Sequence, residues 1–314
     1  MTEPTSAPAP TNLTKYAWLS IATGIVVFSL KMYAYILSGS VGLLSDALES
    51  TVNIVAAVVA LLALRASMKP ADSGYHFGRG KAEYFSAQVE GFMILIAAIM
   101  IGYTAIERLL NPRPLEQVGI GLVISTVASI LNGIVATILI RKGREHRSPV
   151  LDADGRHLMT DVWTSIGVAV SVGAIMLTGW TILDPLIAIG VGLNIIVTGV
   201  NLLRSSTAGL LDKSLSQDDH DKIVVVLKKY ESETVKFHGL QTREAGRSRF
   251  VHMHVLVPGA WTIQEGHDLS ENLEADIIAQ LPGAVVQTHI EPLEDPRSWA
   301  DVPSGQHTWD SGEI

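Results

Sequence analysis

Six long apolar stretches in the first two thirds of the chain constrain its fold more than any other feature. They lie at about residues 16–37, 41–64, 84–106, 118–140, 158–178 and 182–203. Each approaches or exceeds the roughly 20 residues that a helix needs to cross about 30 Å of hydrocarbon. Only 17% of the 314 residues are charged and the mean hydropathy is +0.32, which is too apolar for an ordinary soluble domain. The sequence therefore predicts a membrane protein with six transmembrane helices.

The pattern changes after Leu203, where polar and apolar residues begin to alternate. Periodicity then predicts a helix at 218–230, strands at 235–243 and 248–257, a helix at 263–280 and a strand at 284–291. This αββαβ order predicts a soluble α+β sandwich of one sheet and two helices. We expect a flexible tail at 1–13, a transmembrane domain at 14–211, the soluble domain at 212–295 and a second flexible tail at 296–314.

The basic residues predict the orientation in the membrane, because Lys and Arg in short loops are retained on the cytoplasmic side. Ten of them share one predicted side: Lys15, Arg65, Lys69, Arg79, Lys81, Arg141, Lys142, Arg144, Arg147 and Arg156. The opposite side offers only Arg108 and Arg113. We therefore expect both termini in the cytoplasm.

The composition also limits the partners of the soluble domain. From Asp212 onward there are 18 acidic and 9 basic side chains, a balance that argues against a nucleic-acid partner and is compatible with cations. The chain contains no cysteine, which excludes disulfides and thiolate metal ligands.

Two pairs of polar residues interrupt the apolar stretches at helical spacing. His157 and Asp161 stand four residues apart at the start of the fifth stretch, and Glu49 and Asn53 repeat this spacing in the second. Residues at i and i+4 share one helix face, and polar side chains at this depth usually face a cavity or a partner. For each residue taken singly, a helix cap or an interfacial position is the alternative.

The depth of the two pairs indicates that they meet. Ser148-Pro149 is a typical helix start, which puts Asp161 roughly 20 Å along the fifth span. The second span runs the opposite way, so Asn53 lies roughly 18 Å from the same side. Glu49, Asn53, His157 and Asp161 are therefore predicted to form a site of one nitrogen and three oxygen ligands for a divalent first-row metal.

With these residues the chain resembles the cation diffusion facilitators, a family of proton-coupled exporters of zinc and related metals. The resemblance covers about residues 14–295. It rests on "GSVGLLSDALES", the HxxxD of His157 and Asp161, the loop "KPADSGYHFGRGKAE" and the terminal "HGLQTR", "HMHV", "EGH" and "THIEP". The family's fold implies six transmembrane helices followed by a ferredoxin-like, metallochaperone-like cytoplasmic domain.

The resemblance places the family's four transport ligands on Glu49, Asn53, His157 and Asp161. Zinc-selective members usually carry His or Asp at the position of Glu49 and Asp at that of Asn53. An amide oxygen is a neutral and weaker ligand than a carboxylate, so Asn53 should weaken zinc binding. Zinc is the first expectation, and manganese, iron(II) and cobalt stay open.

The resemblance also implies further sites. Asp72 and His76 match a secondary metal site in the loop between spans two and three, although Arg79 replaces a frequent histidine. Lys81 and Asp212 match an ion pair at the junction of the two domains that helps to hold a homodimer. A metal pair at the dimer interface is expected on His238, His254, His267, His289 and Glu291. Surface strands also tolerate His freely, which is the alternative for each of these histidines.

The sequence thus predicts a secondary active transporter and not an enzyme. We expect a homodimer without a nucleic-acid partner. It should exchange a cytoplasmic divalent metal for protons across the bacterial inner membrane. A non-transporting metal sensor or heterodimer scaffold of the same family is the alternative. An intramembrane metallohydrolase is disfavoured because no HExxH is present, and a channel is disfavoured because a closed cage of charged ligands holds an ion too tightly.

Overall fold

The computed structural model describes residues 12–38, 41–111 and 120–300. These residues fall into two compact units that divide between Leu210 and Leu211. The predicted tail at 1–13 lies almost entirely outside the described residues, and so does the part of the second tail beyond residue 300.

The first unit consists of six long helices. They are α1 (Thr14–Ser38), α2 (Val41–Ser67), α3 (Ala82–Leu110), α4 (Ile120–Glu145), α5 (Pro149–Thr178) and α6 (Leu183–Leu210). All six are long and apolar enough to cross a membrane, which confirms the predicted fold class. Many large apolar side chains point outward, among them Ile36, Leu62 and Ile99, as expected for helices whose outer surface meets lipid.

Glycines allow α4 and α5 to approach backbone to backbone. A Cβ atom at Gly143 would lie 2.6 Å from the backbone nitrogen of Asp152, and one at Gly155 would lie 2.9 Å from the carbonyl oxygen of Ala136. Only a residue without a side chain fits such positions. This close packing fixes α5, the helix that carries His157 and Asp161, against α4.

A buried polar network holds the beginning of α5. The helix starts at Pro149 as predicted, but Ser148 makes no side-chain cap. Its hydroxyl instead donates to Oε2 of Glu83, while the Ser67 hydroxyl donates to Oε1 of Glu83 at 2.9 Å. Because Glu83 is fully buried, this network ties together the end of α2 and the starts of α3 and α5.

The second unit is a three-stranded sheet with two helices. Its elements are α7 (Gln217–Tyr230), β1 (Lys236–Ala245), β2 (Ser248–Val257), α8 (Ile263–Gln280) and β3 (Ala284–Pro292). The strand order is β1-β2-β3, with β1 antiparallel and β3 parallel to β2. The predicted αββαβ order is therefore confirmed. A short 3-10 helix, Pro296–Trp299, follows β3 at the start of the segment predicted to be a tail.

Capping residues determine where these helices begin, and the alternation of apolar residues determines which face of the sheet is buried. Ser216 caps α7, and Thr262 and Glu265 form a capping box at α8. In β2 the alternation buries Val251, Met253 and Val255 in the core. The intervening histidines, His252 and His254, consequently share the opposite face of the sheet.

Candidate metal centres

The structure brings Asn53 of α2 together with His157 and Asp161 of α5. The Asn53 amide nitrogen donates to Oδ2 of Asp161 at 2.5 Å, and Nε2 of His157 lies 2.8 Å from the Asn53 carbonyl oxygen. Because an amide oxygen only accepts, Nε2 of His157 donates in this arrangement. Asn53 and His157 are both buried. Three of the four predicted transport ligands thus form one connected group between two antiparallel helices.

Glu49 is the fourth predicted ligand. Its backbone belongs to α2, one turn before Asn53, and its side chain lies outside the described residues. The helical spacing places Glu49 and Asn53 on the same face of α2. Its role as a ligand stays a prediction.

Asn132 of α4 is a member of the group that the sequence analysis missed. Its amide nitrogen donates to Oδ2 of Asp161 at 3.3 Å. The side chain is 3% exposed, and its carbonyl oxygen has no hydrogen-bond partner among the described residues. The available signal in the sequence was a lone amide in the apolar stretch "ASILNGIVA".

A cavity of about 830 Å³ adjoins this group inside the membrane unit. Nine of its lining residues carry polar side chains: Lys31, Ser125, Thr126, Ser129, Asn132, Thr137, Asp161, Thr164 and Ser165. Hydroxyl and amide groups of this kind can replace part of the hydration shell of a cation. The cavity therefore gives Asp161 a polar approach within otherwise apolar helices.

The loop between α2 and α3 uses Asp72 for its own structure. The Asp72 carboxylate accepts from the backbone nitrogens of Gly74 and Tyr75 and from Nη2 of Arg79 at 2.7 Å. The Arg79 hydrogen bond is the main reason why the pKa of Asp72 lies below its usual value. Asp72 and His76 are both exposed. A metal at these residues, which stays a prediction, would compete with Arg79.

The predicted ion pair of Lys81 and Asp212 joins residues of different units. Within the membrane unit, Nζ of Lys81 donates to the carbonyl oxygen of Leu210 at 3.0 Å. Within the soluble unit, Asp212 accepts from Arg243 at 3.1 Å. The pairing of Lys81 with Asp212 stays a prediction.

Three histidines of the soluble unit surround one glutamate. Residues His238, His254 and His289 are direct neighbours across β1, β2 and β3, and Glu291 follows His289 by two residues on the same face of β3. Oε2 of Glu291 lies 3.1 Å from Nε2 of His238 and 3.3 Å from Nδ1 of His254, and Oε1 lies 3.4 Å from Nε2 of His289. Imidazole and carboxylate groups in this number can hold a tetrahedral metal.

The histidines of the soluble unit differ in their distance from Glu291 and in their exposure. The ligand atoms of His238, His254 and Glu291 lie within 4.8 Å of one another. His267 is exposed on α8, and its part in the cluster stays a prediction. His252 is a near neighbour whose pKa is lowered, first by burial and then by His254 and His289. Trp299 packs on His238, with the ring centres 5.6 Å apart.

A six-helix membrane unit with an internal His, Asp and Asn group, followed by a histidine-bearing αββαβ unit, defines a membrane metal-transport protein. The family model described as "Cation efflux transmembrane domain" matches residues 17–211, and that described as "Cation efflux protein, cytoplasmic domain" matches residues 215–293. The chain belongs to the cation diffusion facilitator family, whose members are metal-efflux transporters.

Relatives extend along nearly the whole chain. The uncharacterized transporter sll1263 of Synechocystis sp. is 53% identical over 90% of this chain and 92% of its own length. The cation-efflux pump FieF of Citrobacter koseri is 29% identical over 84% of this chain and 87% of its own length. A solved metal-bound C-terminal domain of the CzcD transporter from Thermotoga maritima is 22% identical, with a TM-score of 0.24, and covers 26% of this chain and 99% of that domain.

Proposed function

We propose that this chain is a proton-coupled antiporter that exports a divalent transition metal from the cytoplasm. The observation that carries the proposal is the convergence of Asn53, His157 and Asp161 within the membrane unit, beside a cavity with polar lining. Glu49 completes the proposed ligand set. Zinc is the first candidate cargo, and manganese, iron(II) and cobalt are alternatives.

Proton coupling follows from the chemistry of the proposed ligands. A metal binds neutral imidazole and ionised carboxylate, so loading releases protons and protonation from the other side favours release of the metal. In the structure Asn53 also accepts a hydrogen bond from His157 and donates one to Asp161. These two hydrogen bonds orient both proposed ligands before a metal binds. Inward proton movement would thereby drive metal outward.

We further propose that the cluster of His238, His254, His289 and Glu291 is a cytoplasmic metal sensor in a homodimer, with His267 as a further ligand. Metal bound there would shift the dimer toward a transport-competent packing. We place the chain in the bacterial inner membrane with both termini in the cytoplasm, as the distribution of Lys and Arg indicates.

Transport by purified protein in vesicles tests the main proposal. Vesicles with an acidic lumen and a metal-sensitive dye inside should accumulate zinc from a neutral medium, and they should lose this uptake when the pH gradient is dissipated. Asp161→Asn should abolish uptake, since it removes one of the two negative charges of the proposed ligand set. A metal sensor or scaffold would give no uptake with any of the four metals, and that result would refute the proposal.

The cytoplasmic cluster has its own test with a matched control. Glu291→Gln should lower metal binding by the soluble unit at least about tenfold, because Glu291 contacts all three imidazoles and even indirect partners of a metal change affinity by 10–100-fold. His252→Ala removes a neighbouring histidine that does not contact Glu291, and it should bind nearly as the parent does. Equal losses in both variants would contradict the assignment.

A further inference from the structure

A second group of polar side chains lies inside the membrane unit, and the proposed metal site does not use it. Ser20 of α1, Glu90 and Ser86 of α3, and Asp154 of α5 are each at most 2% exposed. Among the residues that the structure describes, the Glu90 carboxyl group and the Ser86 hydroxyl have no hydrogen-bond partner. The contact of the Asp154 carboxyl group is with the Ser20 hydroxyl. Both carboxyl groups are thus buried without a positive charge to balance a negative one.

Three pairwise relations link the four side chains. Asp154 interacts electrostatically with Glu90 across the α3–α5 contact. The Ser20 hydroxyl lies beside the Asp154 carboxyl group and acts on it as a hydrogen-bond donor. Ser86 stands four residues before Glu90 on α3 and therefore shares its helix face. Two hydroxyls thus accompany the two acids.

No basic side chain balances these acids in the described part of the chain. The other charge that acts on Glu90 is Asp152, which adds repulsion. Ionisable groups elsewhere on the packed helices have other contacts: Asp152 with Arg144 and Arg156, Glu83 with Ser67 and Ser148, His157 with Asn53, Asp184 with Arg108, and Lys15 with Tyr16. Lys31 lines the cavity beside Asp161. Two adjacent buried carboxylates without a counter-charge are strongly unfavourable in a low dielectric.

We propose that Glu90 and Asp154, with the hydroxyls of Ser20 and Ser86, form an intramembrane proton-binding site that is separate from the metal ligands. A proton needs only one carboxylate oxygen, and repulsion from a second carboxylate makes a carboxyl group hold its proton more firmly. For a first-row metal the cluster is a poorer site than the proposed transport site, because it offers no imidazole nitrogen and serine hydroxyls are weak ligands. The site carries protons of the exchange, an inference that rests on the proposed antiport.

The proposed proton site and the proposed metal site share helix α5. Asp154 and His157 lie three residues apart on α5, which corresponds to a rise of about 4.5 Å. A proton arriving at or leaving Asp154 changes the charge one turn from the proposed metal ligand, and it also changes the packing of α5 against α3. Both effects act on the helix that presents His157 and Asp161.

Infrared spectroscopy of the full-length protein in lipid tests the site itself. At neutral pH the parent should show a carbonyl stretch from protonated carboxyl groups that weakens in Glu90→Gln and Asp154→Asn and disappears in the double variant. Glu83→Gln is the matched control, because Glu83 is equally buried but accepts from two hydroxyls; it should leave the band unchanged. A parent spectrum whose protonated-carboxyl band does not depend on Glu90 or Asp154 would overturn the proposal.

Uptake into vesicles tests the coupling. Glu90→Gln and Asp154→Asn should retain metal binding and downhill metal exchange, while stimulation of uptake by the pH gradient falls at least about fivefold, the usual size of a coupling between sites. Asp152→Asn, on the same helix but partly exposed, should retain the stimulation. Full stimulation in both acid variants would refute the role in exchange. A parent protein without any stimulation would instead refute the antiport, and the infrared result would still decide whether the proton site exists.

Discussion

At the scale of single residues, Asn53 makes two contacts that an ionised aspartate could not make together. Its amide provides a donor to Asp161 and an acceptor to His157 at the same time. A carboxylate at this position would accept only, and it would face the Asp161 carboxylate across a short distance. The amide therefore holds two proposed ligands in position and lowers the negative charge of the site.

Replacement of Asn53 by Asp should move the metal preference toward zinc. The variant has an additional anionic ligand, and we expect the ratio of zinc to manganese binding to rise at least about tenfold, within the range that changes around metal sites produce. A competition panel on reconstituted protein measures this ratio. Asn53→Gln keeps the neutral amide and should not raise the ratio, so a similar rise in both variants would show that charge is not the cause.

Asn132 offers a second prediction at this scale. Removing its amide in Asn132→Ala deletes a donor to Asp161, and we expect a 10- to 100-fold loss of metal affinity, as for other partners that orient metal ligands. Ser129→Ala is the control, because Ser129 lines the same cavity but donates only to Ser125 of its own helix. Calorimetric titration with metal compares the two, and unchanged affinity in Asn132→Ala would exclude the residue from the site.

The group of Asn53, His157 and Asp161 could be predicted from the sequence, whereas the contact of Asn132 with Asp161 could not. His157 and Asp161 form an i, i+4 pair within one helix, and Asn53 shares this spacing with Glu49, so helical periodicity alone draws attention to them. Asn132 has no polar companion at that spacing in its helix. Its contact with Asp161 depends on the close packing of α4 against α5, which a single sequence does not specify.

At the scale of elements, the α4–α5 pair depends on glycines that permit contact between backbones. Gly143→Ala would place a methyl group 2.6 Å from the Asp152 backbone nitrogen. Overpacking of this kind costs about 1–3 kcal/mol, so the variant should unfold at a lower temperature in detergent. Gly102→Ala is the matched control in α3, where no atom lies within 4 Å of the added methyl group, and better helix propensity should leave its stability equal or higher.

Equal thermal stability of the two alanine variants would mean that α4 and α5 separate enough to admit a side chain. It would then follow that the position of His157 and Asp161 relative to Asn132 is not fixed by this packing. A loss confined to Gly143→Ala supports the interpretation that the backbone contact positions the metal ligands.

The elements themselves were largely predictable, whereas their lateral contacts were not. Apolar length defined the six helices, and alternation located the αββαβ elements within a few residues, because both signals are local. The alignment of His238, His254 and His289 across three strands also depends on a register shift between His238 and Gln241. Gly239, whose φ is +61°, lies in that irregularity, and a glycine within a strand pattern signals a bulge without specifying the pairing that results. The sequence therefore indicated the histidines without their common contact with Glu291.

At the scale of the whole molecule, the question is how the acidic soluble unit acts on the membrane unit. The sequence predicts that Lys81 and Asp212 form an ion pair at the junction. Each residue also has a contact within its own unit, Lys81 with the Leu210 carbonyl oxygen and Asp212 with Arg243. Lys81 and Asp212 either form an ion pair with each other or make only these separate contacts. The energetic coupling between Lys81 and Asp212 distinguishes the two interpretations.

Variants that reverse the charge of Lys81, of Asp212 or of both residues distinguish the two interpretations. Lys81→Glu and Asp212→Lys should each weaken the dimer and reduce transport, since each replaces an attraction at the junction by a repulsion. The double variant restores opposite charges and should recover dimer stability by about 0.5–3 kcal/mol, the range of coupling between residues in contact. Sedimentation of the purified protein gives the dimer dissociation constant for the four forms, and Arg243→Gln measures the local contact of Asp212 alone. If the effects of the two single changes simply add in the double variant, Lys81 and Asp212 act separately, and another contact must join the soluble unit to the helices that bind the metal.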